Sequence, residues 1–304
     1  MSTFTVLKET INRISEKEKR GKFNLWVSFT INFVFFGFTP KQFCALEIYK
    51  KTSKEKKEYV NFFRSNKLNK KLNDKRYQER LTNKVLFNSL YSGFINREWI
   101  ELTPTNYQSA EELLEKKNTL IAKPFHLSGG RGIHLINNSR QISKIINEHY
   151  ILEEVVKNHE RIGAFSDCLN TVRIYTLLKD DGVLILSSCL RIGAPNSITD
   201  NMHTGGHCVS IDWETGFINS TGKTYTGIEY NKNPLTGEEY IGIQIPNWDL
   251  LKNAVINICK VTPQCKYCAW DFAITNHGVE VIEGNVDPDP TLLQLVSGPC
   301  FLKF

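Results

Sequence analysis

The sharpest chemical signal in the chain is Trp270-Asp271-Phe272-Ala273-Ile274, followed closely by Val279-Glu280-Val281-Ile282-Glu283-Gly284-Asn285. If these runs are the two strands of a hairpin, Asp271 and Glu283 can project from the same face. Carboxylates in so apolar a setting are costly unless a cation meets them. Magnesium takes hard oxygen ligands, usually a few carboxylates together with phosphates. Asp271, Glu283 and the amide oxygen of Asn285 suit two such ions bridging the β- and γ-phosphates of a nucleotide.

A second stretch, Ile121-Ala122-Lys123-Pro124-Phe125-His126-Leu127-Ser128-Gly129-Gly130-Arg131-Gly132-Ile133, delivers a lysine from one apolar run and returns through three glycines into another. Without Cβ atoms, Gly129, Gly130 and Gly132 can lay their N–H groups against phosphate oxygens. The spacing and the strand-to-strand setting match neither a Walker A loop nor a dinucleotide fingerprint. Taken alone, the segment also reads as a plain glycine-rich turn. The third stretch is Ile151-Leu152-Glu153-Glu154-Val155-Val156, with Glu160 after it. A strand ending in carboxylates can offer adenine an acceptor and backbone hydrogen bonds, and Glu160 can then reach ribose hydroxyls. A solvated glutamate pair at a strand end is the plainer alternative.

Two smaller signals concern the substrate. His203, Gly205, Gly206 and His207 form a His-x-Gly-Gly-His segment, read as a loop that touches substrate, with a zinc or nucleophile role as the alternative. Arg191, two strand steps beyond Cys189, is a candidate for an anionic group, or pairs with an acidic neighbour. Of the eight cysteines only Cys265-x-x-Cys268 has ligand-like spacing. A zinc site wants four ligands and no second pair completes it, so the cysteines are expected as reduced thiols packed as small hydrophobes.

The elements that must position these residues change character along the chain. Residues 1–80 look helical: Thr52-x-x-Glu55 is a capping box, after which Tyr59, Phe62, Phe63 and Leu72 offer an apolar side to a basic helix. Asn83 to Tyr91 reads as another helix, and Ser109-x-x-Glu112 opens one that ends near Lys117. Short strands follow at Thr119 to Ala122, Gly132 to Ile136 and Tyr150 to Val156, with a helix near Ile142 to Ile146. Thr171 to Leu178 and Val183 to Ile192 form an antiparallel pair turned by Asp180-Asp181-Gly182. Residues 220–240 read as a mobile loop. Asn247 is expected to cap a helix carrying Leu250, Leu251, Ala254, Val255 and Ile258 on one side. This mixed order predicts α+β lobes and not a doubly wound parallel sheet.

With 41% hydrophobic and 23% charged residues, the chain has the composition of a folded globular protein. The stretch Met1 to Lys22 is polar and does not read as a signal peptide. The run Leu25 to Phe38 falls short of the roughly 20 apolar residues a spanning helix needs. It is expected to be a buried helix. Its aromatics and the preceding Lys17, Lys19, Arg20 and Lys22 keep a membrane-surface segment as the alternative. The net charge of +6 is concentrated in residues 50–80, which carry twelve Lys/Arg against four Asp/Glu. Such a stretch is a solvated face, or it attracts an acidic glycan, a membrane surface or nucleic acid. No recognition motif favours the last, and nucleic acid is not expected as a partner.

Together and in this order, the three stretches resemble the ATP-grasp superfamily over roughly residues 84–290. A narrower resemblance, to the sugar-transfer-associated ATP-grasp proteins, rests on Gly37-Phe38-Thr39-Pro40 ahead of a Lys-rich helix, Asn170-Thr171-Val172-Arg173, Gly205-Gly206 before Val209-Ser210-Ile211-Asp212, and Glu283-Gly284-Asn285. The resemblance implies an ATP-grasp fold: a helical N-terminal region (1–82), a small lobe (83–157) and a large lobe with the metal site (158–304), with nucleotide between the lobes. It implies ATP and Mg²⁺ as cofactors. Lys84 would be the first phosphate-side lysine, Lys123 the second, and Gly129, Gly130 and Gly132 the loop over the phosphates. Glu153, Val155 and Val156 would form the adenine hinge, with Glu154 able to exchange roles with Glu153, and Glu160 the ribose acceptor. Arg173 would stabilise the transferred phosphoryl group, and Asp271, Glu283 and Asn285 would hold magnesium. The Rossmann-like domain that usually precedes this fold, and supplies part of its acceptor site, is not visible in residues 1–80. Asp287 and Asp289 also depart from peptide-forming relatives. They either hold an incoming ammonium group or form an acidic turn.

The implied activity is a carboxylate–amine ligase acting through an acyl phosphate. Its substrates would be a small-molecule or glycan carboxylate and an amine, in bacterial surface polysaccharide synthesis. The expected location is cytoplasmic, with peripheral contact at the inner membrane through the N-terminal region. A kinase phosphorylating a hydroxyl, or a non-catalytic nucleotide-binding module, are the alternatives.

Overall fold

The computed structural model describes residues 3–127, 129–195, 197 and 199–304. Two antiparallel sheets organise it. The small sheet consists of β1 (Trp99–Glu101), β2 (Leu120–Pro124), β3 (His134–Ile136) and β4 (Tyr150–Glu154), in the order β1-β4-β2-β3. Helices Tyr107–Lys117 and Ser139–Ile145 cover it, and Leu113, Leu114, Leu120, Ala122, Ile142 and Leu152 form its core. The large sheet contains β5 (Thr171–Lys179), β6 (Gly182–Ile192), β7 (His207–Ser210), β8 (Gly222–Lys223), β9 (Glu229–Tyr230), β10 (Tyr267–Thr275) and β11 (Gly278–Asn285). Its order is β11-β10-β5-β6-β7-β8-β9.

The period-two alternation of strands gives the large sheet two different faces. Val172, Ile174, Leu190, Ile192, Trp270, Phe272 and Ile274 point to one side and pack under helix Trp248–Ile258 and under Phe87 and Tyr91. Tyr175, Leu177, Cys189, Tyr267 and Ala269 point to the other, where helices Thr3–Glu18, Lys22–Phe36, Pro40–Ala45 and Pro290–Ser297 cover them. Further along the same strands this second face carries Thr171, Arg173, Arg191 and Asp271 instead, where the apolar cover stops and a cavity begins.

Several expectations change. Helix Lys22–Phe36 buries Leu25 and Asn32 but leaves Phe23, Val27, Ile31, Phe33, Val34 and Phe35 exposed, so it is not a buried helix. Its hydrophobicity runs almost all round, and a helix packed against helices Thr3–Glu18 and Pro40–Ala45 on one side can bury only that stripe. The capping box at Thr52 and Glu55 is present but opens a single turn, Ser53–Lys56. In the basic helix that follows, Phe62–Leu72, Leu68 and Leu72 face the core while Phe62 and Phe63 are exposed. Residues 220–240 include β8 and β9, anchored by the buried Tyr225 and Tyr240. Asn247 has φ 56° and makes no side-chain cap; its amide donates instead to the carbonyls of Thr275 and Gly278. Leu250 is exposed, because the buried stripe of that helix is Trp248, Leu251, Val255 and Ile258.

Candidate functional site

The site forms where the small sheet overhangs the polar end of the large one. Pairing registers Asp271 opposite both Arg173 on β5 and Glu283 on β11, so three charged side chains stand in one row across three strands. Arg173 Nε donates to Asp271 Oδ1 at 2.6 Å, its Nη2 binds the other oxygen, and Arg191 Nη1 reaches that same oxygen at 3.0 Å. Arg191 also pairs with Asp200, which accepts from the backbone and hydroxyl of Thr171. Burial pushes the Asp271 pKa up, but the Arg173 and Arg191 charges outweigh it and hold the carboxyl well below the usual range.

Glu283 behaves oppositely. Burial and the negative charge of Asp271 raise its pKa, with Arg173, at 3.6 Å, only partly offsetting them. Asn285 donates to Glu283 at 3.3 Å. Two carboxylates and an amide oxygen thus share one face, and one carboxylate is strained by its neighbour's charge. A hard divalent cation relieves that repulsion, so this donor set fits Mg²⁺. Among the described residues no cluster of three or more His, Cys, Asp or Glu offers another metal site.

Above this row lies the glycine loop. Gly129, Gly130 and Gly132 have φ of 69°, 76° and 70°, the left-handed region where a Cβ is strained. The loop rests on the opposite lobe: Asn201 Nδ2 donates to the Gly129 carbonyl at 2.8 Å, and a Cβ on Gly130 would lie 3.2 Å from Thr199. Ser128 lies outside the described residues. Lys84 starts helix Lys84–Leu90, whose first turn is capped by Asn83, and its Nζ donates to the Leu127 carbonyl at 2.6 Å at the base of the loop. Burial, and Lys123 nearby, lower its pKa. Lys84, Lys123, Gly129, Gly130, Arg173, Arg191, His203, Asp271, Glu283, Asn285 and Asp287 all line one cavity of about 320 Å³. Gly132 supports the loop from outside the lining, with Pro124 2.8 Å from where its Cβ would be.

A second cavity, about 510 Å³, shares Ile121, Lys123, Leu169 and Ile282 with the first and runs to Glu153, Glu154, Val155 and Val156. Val155 and Val156 follow the end of β4, where the backbone has left the sheet. Glu153 itself is almost fully buried and accepts from Asn88 at 2.7 Å, Arg97 at 3.1 Å and Lys123. Burial alone would raise its pKa; Arg97 and Lys123 reverse this and hold it far below the ordinary carboxylate value. Glu154 turns outward to Lys117 at 2.9 Å, and Glu160 opens the short helix Glu160–Gly163 on the surface, outside the cavity lining.

The remaining candidates divide. His203 lines the first cavity and packs on Tyr225, with ring centroids 5.1 Å apart. Gly205 and Gly206 sit behind it; a Cβ on Gly206 would lie 2.9 Å from the carbonyls of Asn201 and Ile192. His207 is separate, buried against the Tyr240 hydroxyl at 2.6 Å, and burial pushes its pKa down to about 4. Asp287 stands exposed at the rim, bonded to Asn69, while Asp289 binds Lys41 at 2.9 Å and the Tyr225 hydroxyl and caps helix Pro290–Ser297. All eight cysteines are buried and free, Cys265 and Cys268 included.

Sequence reasoning missed Arg97, Asn88, Asp200 and Lys41. Arg97 is buried between Glu153 and Glu280, the latter at 2.8 Å. Nothing local marks it, since its partners lie 56 and 183 residues away.

No curated protein matches the sequence. Solved structures similar to the chain include a D-alanyl-alanine synthetase A from Vibrio cholerae (14% identity, TM-score 0.46, 74% of this chain and 60% of that one). The ATP-grasp ligase PsnB with its precursor peptide and AMPPNP is 13% identical (TM-score 0.44, 72% and 54%). A D-alanine–D-alanine ligase from Helicobacter pylori is likewise 13% identical (TM-score 0.45, 72% and 58%). The chain thus spans 54–60% of the length of these three proteins. The family model described as sugar-transfer associated ATP-grasp matches residues 142–303. That match takes in more than half of the chain, and the protein belongs to the sugar-transfer associated ATP-grasp family.

Proposed function

We propose that this protein is an ATP-dependent carboxylate–amine ligase, joining an amino acid or other amine to a sugar acid or a glycan precursor bearing one, in the cytoplasm and in the service of bacterial surface polysaccharide synthesis. The observation that carries the reading is the charged row Arg173–Asp271–Glu283 beneath a glycine loop that already touches the opposite lobe.

In this reading Asp271, Glu283 and Asn285 hold Mg²⁺, which when bound offsets phosphate charge. Lys84, Lys123 and the N–H groups of Gly129, Gly130 and Gly132 hold the phosphates of ATP, and the backbone of Val155 and Val156 meets the adenine. Arg173 and Arg191 present guanidinium edges to the reacting carboxylate and phosphoryl group. A carboxylate oxygen attacks the γ-phosphorus, and the bond to the ADP oxygen breaks. The amine nitrogen then attacks the carbonyl carbon of the acyl phosphate, the C–O bond to phosphate breaks, and the amine gives up a proton. In this reading Asp287, at the rim beside Asp289, holds the incoming ammonium and accepts the proton that frees its lone pair, and the departing phosphate takes the proton released as the amide forms. The side chains mainly position and stabilise charge. The loop contact at Asn201 keeps water from an acyl phosphate that would otherwise hydrolyse.

The test is ATP turnover with Mg²⁺ across paired uronic acids and amino acids, with Glu283→Gln as the control. ADP and phosphate formed only with both substrates, together with an amide product, support the ligase. A stable phosphate ester instead would make the protein a kinase, and no nucleotide binding would remove the reading altogether.

A further inference from the structure

The outward side of helix Lys22–Phe36 is apolar where a soluble helix is normally polar. At 3.6 residues per turn Phe23, Val27, Ile31 and Val34 share one stripe, with Phe35 on one flank and Phe33 on the other. Phe23 and Phe35 are each 78% exposed, and Val34 is 60% exposed. The patch continues past the helix end. The Phe62 N–H donates to the Gly37 carbonyl at 3.1 Å, Asn61 donates to the Phe36 carbonyl at 2.7 Å, and the Phe63 ring lies against Gly37. Phe62 and Phe63 are themselves exposed. Contiguous exposed apolar surface of this kind marks an interaction site.

The charges around the patch identify the partner. Lys22 adjoins Phe23, Lys56 stands 5.2 Å over the Phe36 ring, and Lys67 follows Phe63 by one helical turn. Lys54, Lys57 and Lys70 are exposed nearby, and of the two acidic residues in 50–73, Glu55 is held in the capping box with Thr52. An apolar strip rimmed by lysines matches a surface that is anionic outside and hydrocarbon within. Among the described residues no helix is long and apolar enough to cross a membrane, and this 15-residue helix, held to the protein through the buried Leu25 and Asn32, can meet a bilayer only lengthwise, along its exposed side. We infer that the Lys22–Phe36 helix, with Phe62 and Phe63, seats the protein on an anionic lipid membrane. The seat is close to the site, since Lys41, four residues past Gly37, binds Asp289 in the cavity wall.

The test is sedimentation of the full chain with phosphatidylcholine vesicles, with or without about one third phosphatidylglycerol. The protein should pellet with the anionic vesicles only, and high salt should release it. Phe23→Ser with Phe35→Ser should abolish binding with an unchanged melting curve. Each of Lys54→Glu and Lys57→Glu should weaken binding at least about fivefold. Phe35→Trp should shift its emission to the blue on anionic vesicles and be quenched by brominated acyl chains. Wild-type protein left in the supernatant with both vesicle types overturns the inference. So does a dimer in solution that the Phe23/Phe35 double variant converts to monomer, which would assign the face to a second copy.

Discussion

Glu153 offers the most informative single substitution, because its buried carboxylate is the shared partner of Asn88, Arg97 and Lys123. With Glu280 it neutralises two buried cations. Glu153→Gln keeps the shape but leaves that group with one uncompensated positive charge. Breaking one side of a buried ion pair costs about 3–5 kcal/mol, a large part of the roughly 5–15 kcal/mol by which a domain is stable. Urea unfolding at neutral pH should therefore show a large drop in midpoint. Adding Lys123→Met restores neutrality, so the double variant should be more stable than the sum of the singles by about 1–3 kcal/mol. The pH dependence has a definite sign. The folded carboxyl titrates below its ordinary value of 4.5, so its contribution is present above that pH and is lost as the pH falls below it. The wild-type minus Glu153→Gln difference should shrink over that acid range. A Glu153→Gln protein of near wild-type stability that has lost only ATP affinity would refute the reasoning and make Glu153 a nucleotide ligand in its own right.

Gly130→Ala forces a side chain at φ 76° and 3.2 Å from Thr199; ATP affinity, followed by titration calorimetry, should fall several-fold while the melting temperature barely moves. Asn201→Ala removes the contact from the opposite lobe to Gly129 and should raise the fraction of ATP hydrolysed without product, read as the ADP-to-product ratio. Gly284→Ala puts a methyl 2.9 Å from Trp270 and 3.0 Å from Leu81. Overpacking there should cost about 1–3 kcal/mol in denaturant unfolding. His207, with a pKa pushed down to about 4 from an ordinary 6.5, contributes stability that is complete above 6.5 and lost as the pH falls toward 4. A His207→Phe variant should show a flatter stability profile across that window.

The residues that line the cavities were legible where local pattern encodes them. Asp271, Glu283 and Asn285 stand in two consecutive apolar runs, so the hairpin follows from the pattern; the shared face of Asp271 and Glu283 also needs the β-bulge between Asp271 and Phe272, which unbroken alternation would not give. The glycines announce a loop because only they tolerate its left-handed backbone. What the sequence hid depends on long-range pairing. β10 joins the sheet beside β5 and not beside β9, and this is what sets Arg173 against Asp271. Glu153 looks like a solvated strand end until Arg97, with no motif of its own, is folded against it. Residues 220–240 carry loop composition, yet two buried tyrosines hold them to the sheet. The Leu25 to Phe38 run was apolar enough for a core, but composition does not say which side of a helix finds a partner.

The two-natured face of the large sheet limits how such a protein can be cut or inherited. Strand β5 offers Arg173 to the cavity and, two residues later, Tyr175 to the N-terminal helices, while the Tyr175 hydroxyl donates to the carbonyl of Asp289 at 3.0 Å. A chain trimmed to the ATP-grasp lobes alone would uncover helix Pro290–Ser297, which shares its apolar cluster with Phe38 and Phe43 and whose Gln294 exchanges hydrogen bonds with the Val60 backbone at 2.6 and 3.0 Å. The helices of residues 3–72 are therefore a fitted half of one core. A recombination that exchanged them for another segment would have to bring an equally apolar surface and a substitute for Lys41.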